Sequence, residues 1–218
     1  LQLKEQLGGT VTVVSMGPPQ ADVALREALA MGCDEAYLVS AREFGGSDTY
    51  ATSGILAAAL KKVGYDLVIT GRQAIDGDTA QVGPQIAEKL ALPQVSYVEE
   101  VKEATEEYVV VKRQYEDGYH IVKIKTPCLL TAIAELAEPR YMSIGGIFDA
   151  YKKEIKTLGF EDLKDELELD MIGLKGSPTN VFKSFTKEVK GAGTVYPDLT
   201  AEEAVDVILK KLEEKFII

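Results

Sequence analysis

Strand-like and helix-like segments alternate through the first part of the chain. Short apolar runs at 11–15, 35–39 and 67–70 have the length and composition of buried strands, and a helical pattern follows each of them. Strands that alternate with helices of about 10 to 15 residues form right-handed βαβ units around a parallel sheet. The sequence therefore predicts an α/β fold with a parallel sheet flanked by helices. Such sheets bind ligands beyond the carboxyl ends of their strands.

The second half of the chain departs from this alternation. Two β-rich runs at 108–115 and 121–124 flank a turn at 116–119 and predict an added β-hairpin. A compact apolar strand is expected at 128–133. Beyond it the pattern loosens, and residues 138–147 predict a pliable loop with exposed apolar side chains.

The two ends of the chain both predict helices. Residues 1–9 have the pattern of the last turns of a helix that stops at a glycine, so we expect further residues to precede them. At the other end, Thr200 and Glu203 form a capping box in front of an apolar stripe. That helix is either an arm that packs on a partner or an ordinary core helix. We expect an α/β domain over 1–170 and a C-terminal helical extension over 171–218.

The segment 66–84 carries the strongest indication of a ligand site. A β-rich run ends at Gly71, a polar loop follows, and a helical pattern opens around residues 79–81. Free backbone N–H groups and the helix dipole converge on an anion where a strand, a loop and a helix N-terminus meet in this way. Gly71, Gly77 and Gly83 can adopt a positive φ or let a ligand approach the backbone closely. This pattern is typical of a nucleotide-phosphate cradle.

The loop matches neither common phosphate-binding template. It contains no G-x-G-x-x-G and no G-x-x-x-x-G-K-[ST], so the motif alone does not name the ligand. Asp76 and Asp78 also place negative charge where a phosphate would lie. They either cap the following helix through its first N–H groups or bind ribose hydroxyl groups. Residue chemistry alone leaves a ligand site and a capped turn equally open.

Composition argues against several classes of function. The chain has 218 residues and a formal net charge of -11, unlike a general nucleic-acid-binding protein with a basic face. No run of about 18 apolar residues predicts a membrane span. Cys33 and Cys128 are far apart and predict two reduced, structural thiols in a cytosol-like compartment. We expect no metal site and no catalytic residues of the Ser/His/Asp or paired-carboxylate kind.

Three separate motifs resemble the β subunit of electron transfer flavoprotein. They are the run 71–85, the segment Glu138-Pro-Arg-Tyr-Met-Ser-Ile and the hairpin segment 111–131. His120 departs from the family pattern, which usually has Glu or Gln there, and we interpret it as a tolerated change on a surface strand. The resemblance extends from near Leu1 to the C-terminal helix.

The resemblance implies a fold similar to the adenine-nucleotide α-hydrolases. It also implies a heterodimer with an α subunit that carries a redox FAD on a mobile domain. The β subunit of this family binds either AMP as a structural nucleotide or, in electron-bifurcating members, a second FAD. The family pattern places the phosphates at the loop and the adenine beside the turn that begins at Ser15. The implied nucleotide-binding residues are Ser15, Met16, Gly71, Arg72, Gln73, Ala74, Ile75, Asp76, Gly77, Asp78, Thr79, Ala80, Gln81 and Val82.

We favour FAD over AMP in this subunit. Gly77, Thr79 and Ala80 are small and leave room at a diphosphate, and Arg72 could offset the charge of a second phosphate. The run Asp-Gly-Asp-Thr-Ala-Gln-Val-Gly also resembles the bifurcating branch more than the AMP-binding one. The protein would then tune the flavin while the cofactor does the chemistry. Arg113 is a candidate contact from the hairpin.

The resemblance also implies a docking loop for electron partners. An exposed aliphatic anchor on a flexible loop suits transient docking, and Ile144 matches the anchor of the family. The expected partners are the α subunit, acyl-CoA dehydrogenases and, in a bifurcating complex, NADH. We expect a bacterial, cytoplasmic electron carrier, either a simple shuttle or part of an NADH-dependent acyl-CoA reductase complex. The implied docking residues are Arg140, Tyr141, Met142, Ile144 and Ile147.

Two other classes of protein share this kind of fold. Residues 44–49, Phe-Gly-Gly-Ser-Asp-Thr, resemble the pyrophosphate loop of ATP-pyrophosphatase-type adenylating enzymes, although the first Ser of that loop is missing. Nothing downstream supplies a substrate nucleophile, and we favour an ordinary helix cap for the same residues. A nucleotide-sensing module of the stress-protein type is the other alternative, although it needs neither a docking loop nor a C-terminal arm.

Overall fold

The computed structural model describes residues 1–179, 181–183, 185–186, 189 and 191–218. The chain divides into two compact units, residues 1–180 and residues 181–218. In the described residues, the helices and strands follow the order α1 (Gln2–Leu7), β1 (Thr12–Met16), α2 (Asp22–Met31), β2 (Glu35–Val39), α3 (Thr49–Val63), β3 (Leu67–Gly71), α4 (Val82–Lys89), β4 (Gln94–Ala104), β5 (Tyr108–Tyr115), β6 (Gly118–Lys125), β7 (Cys128–Ala132), α5 (Ile144–Lys152), β8 (Ile155–Leu158), α6 (Phe160–Leu163) and α7 (Ala201–Glu213).

The first unit contains a parallel three-stranded sheet in the order β1-β2-β8. Tyr37 of β2 lies opposite Val14 of β1 and Lys156 of β8. Alternate residues of β2 face opposite sides, so that Leu38 packs with α2 and α5 whereas Val39 packs with α3. Helices therefore flank this parallel sheet, which confirms the predicted α/β class.

The same unit contains a mixed five-stranded sheet in the order β3-β7-β4-β5-β6. Strands β3, β7 and β4 are parallel, and the β5–β6 hairpin extends the sheet in an antiparallel arrangement. The predicted hairpin is confirmed, and its pairing places Arg113 opposite His120. The core of this sheet is an apolar cluster in which Val98, Val109 and Cys128 are fully or almost fully buried.

Helix α3 packs against both sheets. Ile55 and Ala59 belong to the core of the three-stranded sheet, together with Val39. Leu56 and Leu60, one position further along the helix, pack in the cluster that contains β3 and α4. Two adjacent apolar stripes on one helix therefore link the two cores.

The segment after β7 differs from its prediction. The sequence predicts a loop at 138–147, but α5 begins at Ile144, and the Ser143 side chain caps it by accepting a hydrogen bond from the Gly146 N–H at 2.9 Å. A Cβ on Gly146 would lie 2.6 Å from the Ala30 carbonyl oxygen. This glycine therefore allows α5 to approach α2 closely and does not make the segment pliable. Strand β8, which is four residues long, was not predicted either.

The second unit contains α7. The Thr200 hydroxyl oxygen accepts a hydrogen bond from the Glu203 N–H, and the Glu203 carboxylate accepts one from the Thr200 N–H, so the predicted capping box is confirmed. The hydrogen bonds that the Thr200 N–H and the Thr200 hydroxyl donate to the carboxylate lower the pKa of Glu203 below its usual value. Within this unit, Ile208 and Leu212 line one side of a shallow apolar groove together with Tyr196.

Candidate functional site

The predicted cradle lies at the carboxyl end of β3. The strand ends at Gly71, residues 72–81 form a loop that is exposed at all positions except the half-buried Ala80, and α4 begins at Val82. The helix therefore begins just after the predicted opening at 79–81. The structure places all of the predicted loop residues in one continuous stretch at a strand-to-helix junction.

Two residues of the loop adopt left-handed backbone conformations. Asp78 has a φ of 50° and Ala80 has a φ of 53°, a region that is costly for residues other than glycine. The Asp78 N–H donates to the Ala74 carbonyl oxygen at 3.0 Å, and the Gln73 amide donates to the Asp78 carboxylate. We expect any positive φ angle in this segment at the glycines, because they adopt it without steric cost. The positive φ angles of this loop occur instead at an aspartate and an alanine. Strained conformations of this kind cluster at ligand-binding loops.

The first turn of α4 has no side-chain cap among the described residues. Gln81 occupies the N-cap position, and its amide oxygen accepts a hydrogen bond from Thr49 Oγ1 at 2.7 Å. Neither Asp76 nor Asp78 caps the helix, so one of the two roles considered for these carboxylates does not apply. The first N–H groups of α4 have no side-chain acceptor in this part of the chain and are suited to bind an anion.

Gly83 allows α4 to pack closely on the ends of two strands. A Cβ at this position would lie 2.6 Å from Thr70 Oγ1 and 2.8 Å from Thr131 Cγ2. Thr70 Oγ1 is buried and has no hydrogen-bond partner in the described residues. Buried hydroxyl groups are nearly always hydrogen-bonded, so an unpaired one indicates a position that a ligand or water completes. Close packing and an unpaired hydroxyl at the helix start both fit a phosphate group here.

Ser15 and Met16 lie at the carboxyl end of β1, in the other sheet. The turn after them is held by the Gly17 N–H, which donates to the Val39 carbonyl oxygen at 3.1 Å. The described residues show no hydrogen bond between this turn and the loop 72–81. Both predicted groups therefore occupy the carboxyl ends of parallel strands, and no hydrogen bond joins them.

Sequence reasoning missed Tyr97, which lies beside the cradle. Tyr97 has a φ of 59°, at a point where the pairing of β4 with β7 shifts register, and its N–H donates to Thr131 Oγ1 at 3.2 Å. The guanidinium carbon of Arg72 lies 6.0 Å from the centre of the Tyr97 ring. Bulges that redirect a side chain are common next to binding sites. No residue pattern in 94–104 indicates this bulge.

The hairpin brings Arg113, Tyr115 and His120 together on β5 and β6. A terminal guanidinium nitrogen of Arg113 donates to Ser96 Oγ at 3.3 Å, whereas its Nε is buried without a partner in the described residues. The guanidinium carbon lies 4.7 Å from the centre of the Tyr115 ring, and that ring lies 4.4 Å from the His120 ring. His120 is exposed on a strand, as predicted, and it stacks on a tyrosine.

The predicted docking residues lie around the start of α5. Arg140 pairs with Glu5 of α1 through two N–O contacts of 2.6 and 2.7 Å. The hydrogen bond from Arg140 lowers the pKa of Glu5, and Glu5 in turn raises the pKa of Arg140. Arg140 is therefore tied to α1, whereas Ile144 is 77% exposed.

Helix α5 exposes a larger apolar surface than the sequence predicts. Phe148 and Tyr151 are 69% and 71% exposed, and the loop prediction missed both of them. Together with Ile144 they have the i, i+4, i+7 spacing of one helix face, which a helical interpretation of this segment would have detected. We call the exposed apolar side chains of this segment the docking face, which consists of Tyr141, Met142, Ile144, Ile147, Phe148 and Tyr151.

The protein itself closes the loop before α3, which resembles a pyrophosphate loop. Asp48 accepts hydrogen bonds from the N–H groups of Tyr50 and Ala51 at 2.9 and 3.0 Å. A Cβ on Gly46 would lie 2.5 Å from Leu174, so a later segment of the chain covers the loop. These residues form a helix cap and leave no open phosphate site.

The described residues show neither a metal-ligand cluster nor a membrane-spanning helix. They contain no group of three His, Cys, Asp or Glu side chains that could hold a metal ion. Burial raises the pKa of both free cysteines, Cys33 and Cys128, which keeps these thiols protonated at neutral pH. In the same part of the chain, no helix combines the length and the apolarity needed to cross a bilayer.

The comparison with known families covers most of the chain. Residues 1–163, most of the chain, match the family model described as electron transfer flavoprotein domain. The chain belongs to the electron transfer flavoprotein family. This match includes the cradle, the hairpin and the docking face.

Individual relatives indicate which subunit of the family the chain resembles. The electron transfer flavoprotein subunit beta of Clostridium acetobutylicum is 55% identical, over 100% of this chain and 83% of its own length. The acryloyl-CoA reductase electron transfer subunit gamma of Anaerotignum propionicum is 53% identical with the same shares. The caffeyl-CoA reductase-Etf complex subunit CarD of Acetobacterium woodii is 52% identical, again with these shares. The chain is therefore a β-subunit member of the electron transfer flavoprotein family.

Proposed function

We propose that this chain binds FAD through the loop 72–81 as the β subunit of a heterodimeric electron transfer flavoprotein. The observation that carries the proposal is the uncapped first turn of α4, because N–H groups at a helix N-terminus attract phosphate when no side chain occupies them. The unpaired hydroxyl of Thr70 and the left-handed conformations of Asp78 and Ala80 support the same position for the diphosphate.

The polar residues of the loop have defined roles in this proposal. Thr79 and Gln81 donate hydrogen bonds to the phosphates, and Arg72 offsets their charge. Asp78 is engaged by Gln73, which leaves Asp76 to accept a hydrogen bond from a ribose hydroxyl. The bound flavin supplies the redox chemistry, while the protein binds it, orients it and shields it from water.

FAD suits the site better than AMP because suitable side chains continue beyond the cradle. Arg72 follows Gly71 in the chain, and its guanidinium carbon lies 6.0 Å from the centre of the Tyr97 ring. The two residues offer a positive charge and an aromatic face for the second half of a dinucleotide. Two of the relatives are named as electron transfer components of CoA-ester reductases. We propose by analogy that this subunit passes electrons between NADH or a dehydrogenase and an acyl-CoA dehydrogenase-type partner, with electron bifurcation at its FAD.

The docking face supports a transient electron partner. Three of its exposed side chains, Ile144, Phe148 and Tyr151, form one apolar face of α5, and exposed apolar patches of this kind mark protein interaction sites. We propose that an acyl-CoA dehydrogenase-type protein docks on it, that the second unit, residues 181–218, packs on the α subunit, and that the complex works in the bacterial cytoplasm. The predicted extension begins at residue 171, but Ile172 is buried in the core of the first unit.

The nucleotide content of the heterodimer tests the proposed function. The chain is co-expressed with its α subunit, the ligands are released by heat, and FAD and AMP are quantified by chromatography with mass detection. We expect two FAD molecules per heterodimer. One FAD with one AMP would make the protein a simple electron shuttle with a structural nucleotide, and no nucleotide in this subunit would contradict the cradle assignment.

The docking proposal is tested with Ile144→Ala. Because a buried anchor contributes about 1 to 2 kcal/mol to an interface, we expect electron delivery to a dehydrogenase to slow roughly tenfold with unchanged flavin content. Ile121→Ala is the control, since Ile121 is an exposed isoleucine on β6, outside the docking face, with 49% of its surface exposed against 77% for Ile144. Equal transfer rates for both variants would contradict the docking face.

A further inference from the structure

A row of cationic and aromatic side chains continues from the cradle along the second sheet. It begins at the residue after Gly71 and reaches the tip of the hairpin. Ser96, the neighbour of Tyr97, accepts a hydrogen bond from Arg113 at 3.3 Å and so connects the two halves of the row. We call this row the cationic rim, and its members are Arg72, Tyr97, Arg113, Tyr115 and His120.

Arg113 is placed on the core side of its strand. Val109 and Val111 precede it at two-residue spacing on β5, and both are buried in the apolar cluster of the sheet. Its neighbour Lys112 lies on the opposite face and forms an ion pair with Glu99 at 2.6 Å. The fold therefore directs Lys112 to the carboxylate of Glu99 and Arg113 to the core face of the strand, where desolvation of a charge is costly.

The charge of Arg113 is not neutralised within the described residues. Neither Arg72 nor Arg113 takes part in an ion pair there, although the chain has 35 acidic and 24 basic residues. The Nε–H of Arg113 is buried and unpaired, and the Tyr115 ring holds the guanidinium plane from one side. A planar group with negative charge would satisfy both the unpaired donor and the stacking surface.

We propose that the cationic rim binds the isoalloxazine ring of a flavin and that Arg113 stabilises the ring when reduction makes it anionic. The inference rests on the proposed function, because it requires a flavin in the complex. One electron added to the neutral oxidised ring leaves one negative charge on it, and no bond forms or breaks. The guanidinium keeps its own proton at all relevant pH values, so it stabilises this charge without transferring a proton.

Two flavins offer the same chemistry. The first is the FAD that we assign to this subunit, whose diphosphate lies at the start of the rim. The second is the FAD of the α subunit, which reaches the rim if the two subunits pack with that flavin against the hairpin. In both cases removal of the Arg113 charge lowers the reduction potential of the flavin that contacts it.

The test measures the midpoint potentials of the flavins in the intact heterodimer. Arg113→Gln is compared with Lys112→Gln, which removes a cation from the opposite face of the same strand. A hydrogen bond to a charged group is worth about a tenfold change in binding. For Arg113→Gln we therefore expect a potential lowered by about 60 mV, the value of a tenfold change in a one-electron couple. Lys112→Gln should leave the potentials unchanged.

Replacement of the nucleotide of this subunit by AMP distinguishes the two flavins. A shift that disappears after the replacement identifies the FAD of this subunit, and a shift that persists identifies the FAD of the α subunit. If Arg113→Gln does not fold, Tyr115→Leu is the second variant, because Tyr115 is exposed and its replacement should not disturb the fold. The change removes the ring beside the Arg113 guanidinium and should lower the same reduction potential by a smaller amount.

Unchanged potentials with full flavin content would overturn the inference and leave the proposed function intact. Weaker binding of the α subunit with unchanged potentials would also overturn it, because the rim would then pair with carboxylates of the partner protein. A heterodimer without any flavin would overturn both the inference and the proposed function.

Discussion

Two turns of this protein have the same topology and opposite chemistry. The turn before α3 and the turn before α4 both connect the carboxyl end of a parallel strand to a helix N-terminus. At α3, the Asp48 carboxylate accepts hydrogen bonds from the first N–H groups of the helix, and the segment around Leu174 covers the loop. At α4, the described residues provide no side-chain cap, and the loop 72–81 is exposed.

The difference shows that a helix N-terminus after a parallel strand is only a potential site. Sequence similarity to a pyrophosphate loop exists at 44–49, yet the protein fills that position with its own carboxylate. The loop 72–81 lacks both standard phosphate-binding templates, yet it leaves its helix uncapped and a nearby hydroxyl, Thr70 Oγ1, unpaired. What occupies the first turn therefore decides between a structural and a ligand-binding junction.

Among changes to these two turns, Gly83→Val should have the largest effect on stability and on nucleotide content. The new side chain would collide with Thr70 and Thr131, because even a Cβ lies within 2.8 Å of both. Overpacking of this kind costs about 1 to 3 kcal/mol, and it would also displace the start of α4 and release the nucleotide. Urea unfolding and nucleotide content measure the two effects. Gly118→Ala is the control, since nothing lies within 4 Å of a Cβ there and the residue is not one of the proposed nucleotide contacts, and equal losses in both variants would refute the packing role.

A smaller effect is expected from the double variant Thr79→Ala with Gln81→Ala. Loss of two hydrogen bonds of about 1 kcal/mol each should weaken nucleotide binding roughly thirtyfold, while the flavin of the α subunit remains. Titration calorimetry with AMP measures the affinity. Because Thr49 also donates to Gln81, Thr49→Ala serves as the control for that contact. Unaltered affinity in the double variant would remove the cradle assignment.

Asp48→Ala should affect stability and leave nucleotide content unchanged. Loss of an N-cap costs about 1 kcal/mol of unfolding free energy, measurable by urea denaturation. Asp48→Asn retains an acceptor for the two N–H groups and should recover most of the loss. A drop in nucleotide content for Asp48→Ala would show that the turn before α3 contributes to nucleotide binding and is more than a helix cap.

The smallest expected effect is on the stability of the protein at acid pH, through the carboxylate of Asp48. Burial opposes ionisation of Asp48, but hydrogen bonds from Ala51, Thr179 and Tyr50 outweigh it and lower the pKa below its usual value. The stabilisation from this group is therefore complete above the usual aspartate pKa of about 3.9 and is lost as the pH falls through the lowered value. Unfolding measured between pH 5 and pH 3 should show less acid destabilisation for Asp48→Asn than for the unchanged protein. Parallel pH curves would contradict this linkage.

Hydrophobic patterning was sufficient to predict much of the fold. The strands at 35–39 and 67–70, the hairpin and the capping box at Thr200 all lie where their residues predict them, because their signals are local. The strand–loop–helix junction at the predicted cradle was found for the same reason, since Gly71 ends a strand and Gly83 lies within a helix start.

The remaining features depend on contacts between distant segments. Strand β8 is short and becomes a strand through pairing with β2, and α5 contains two glycines that lower its helical signal. The positive φ of Tyr97 arises from a register shift between β4 and β7, which no property of residues 94–104 encodes locally. The same holds for the separation of the strands into two sheets.

Helix α3 makes the two sheets dependent on each other during unfolding. Ile55 and Leu56 are adjacent in the chain but belong to different cores, so neither core can open widely while the helix stays in place. Amide protons at the centres of β2 and β7 should therefore exchange with solvent at similar free energies, as members of one cooperative block. The two sheets of residues 1–180 would then unfold together, although they are separate in the structure.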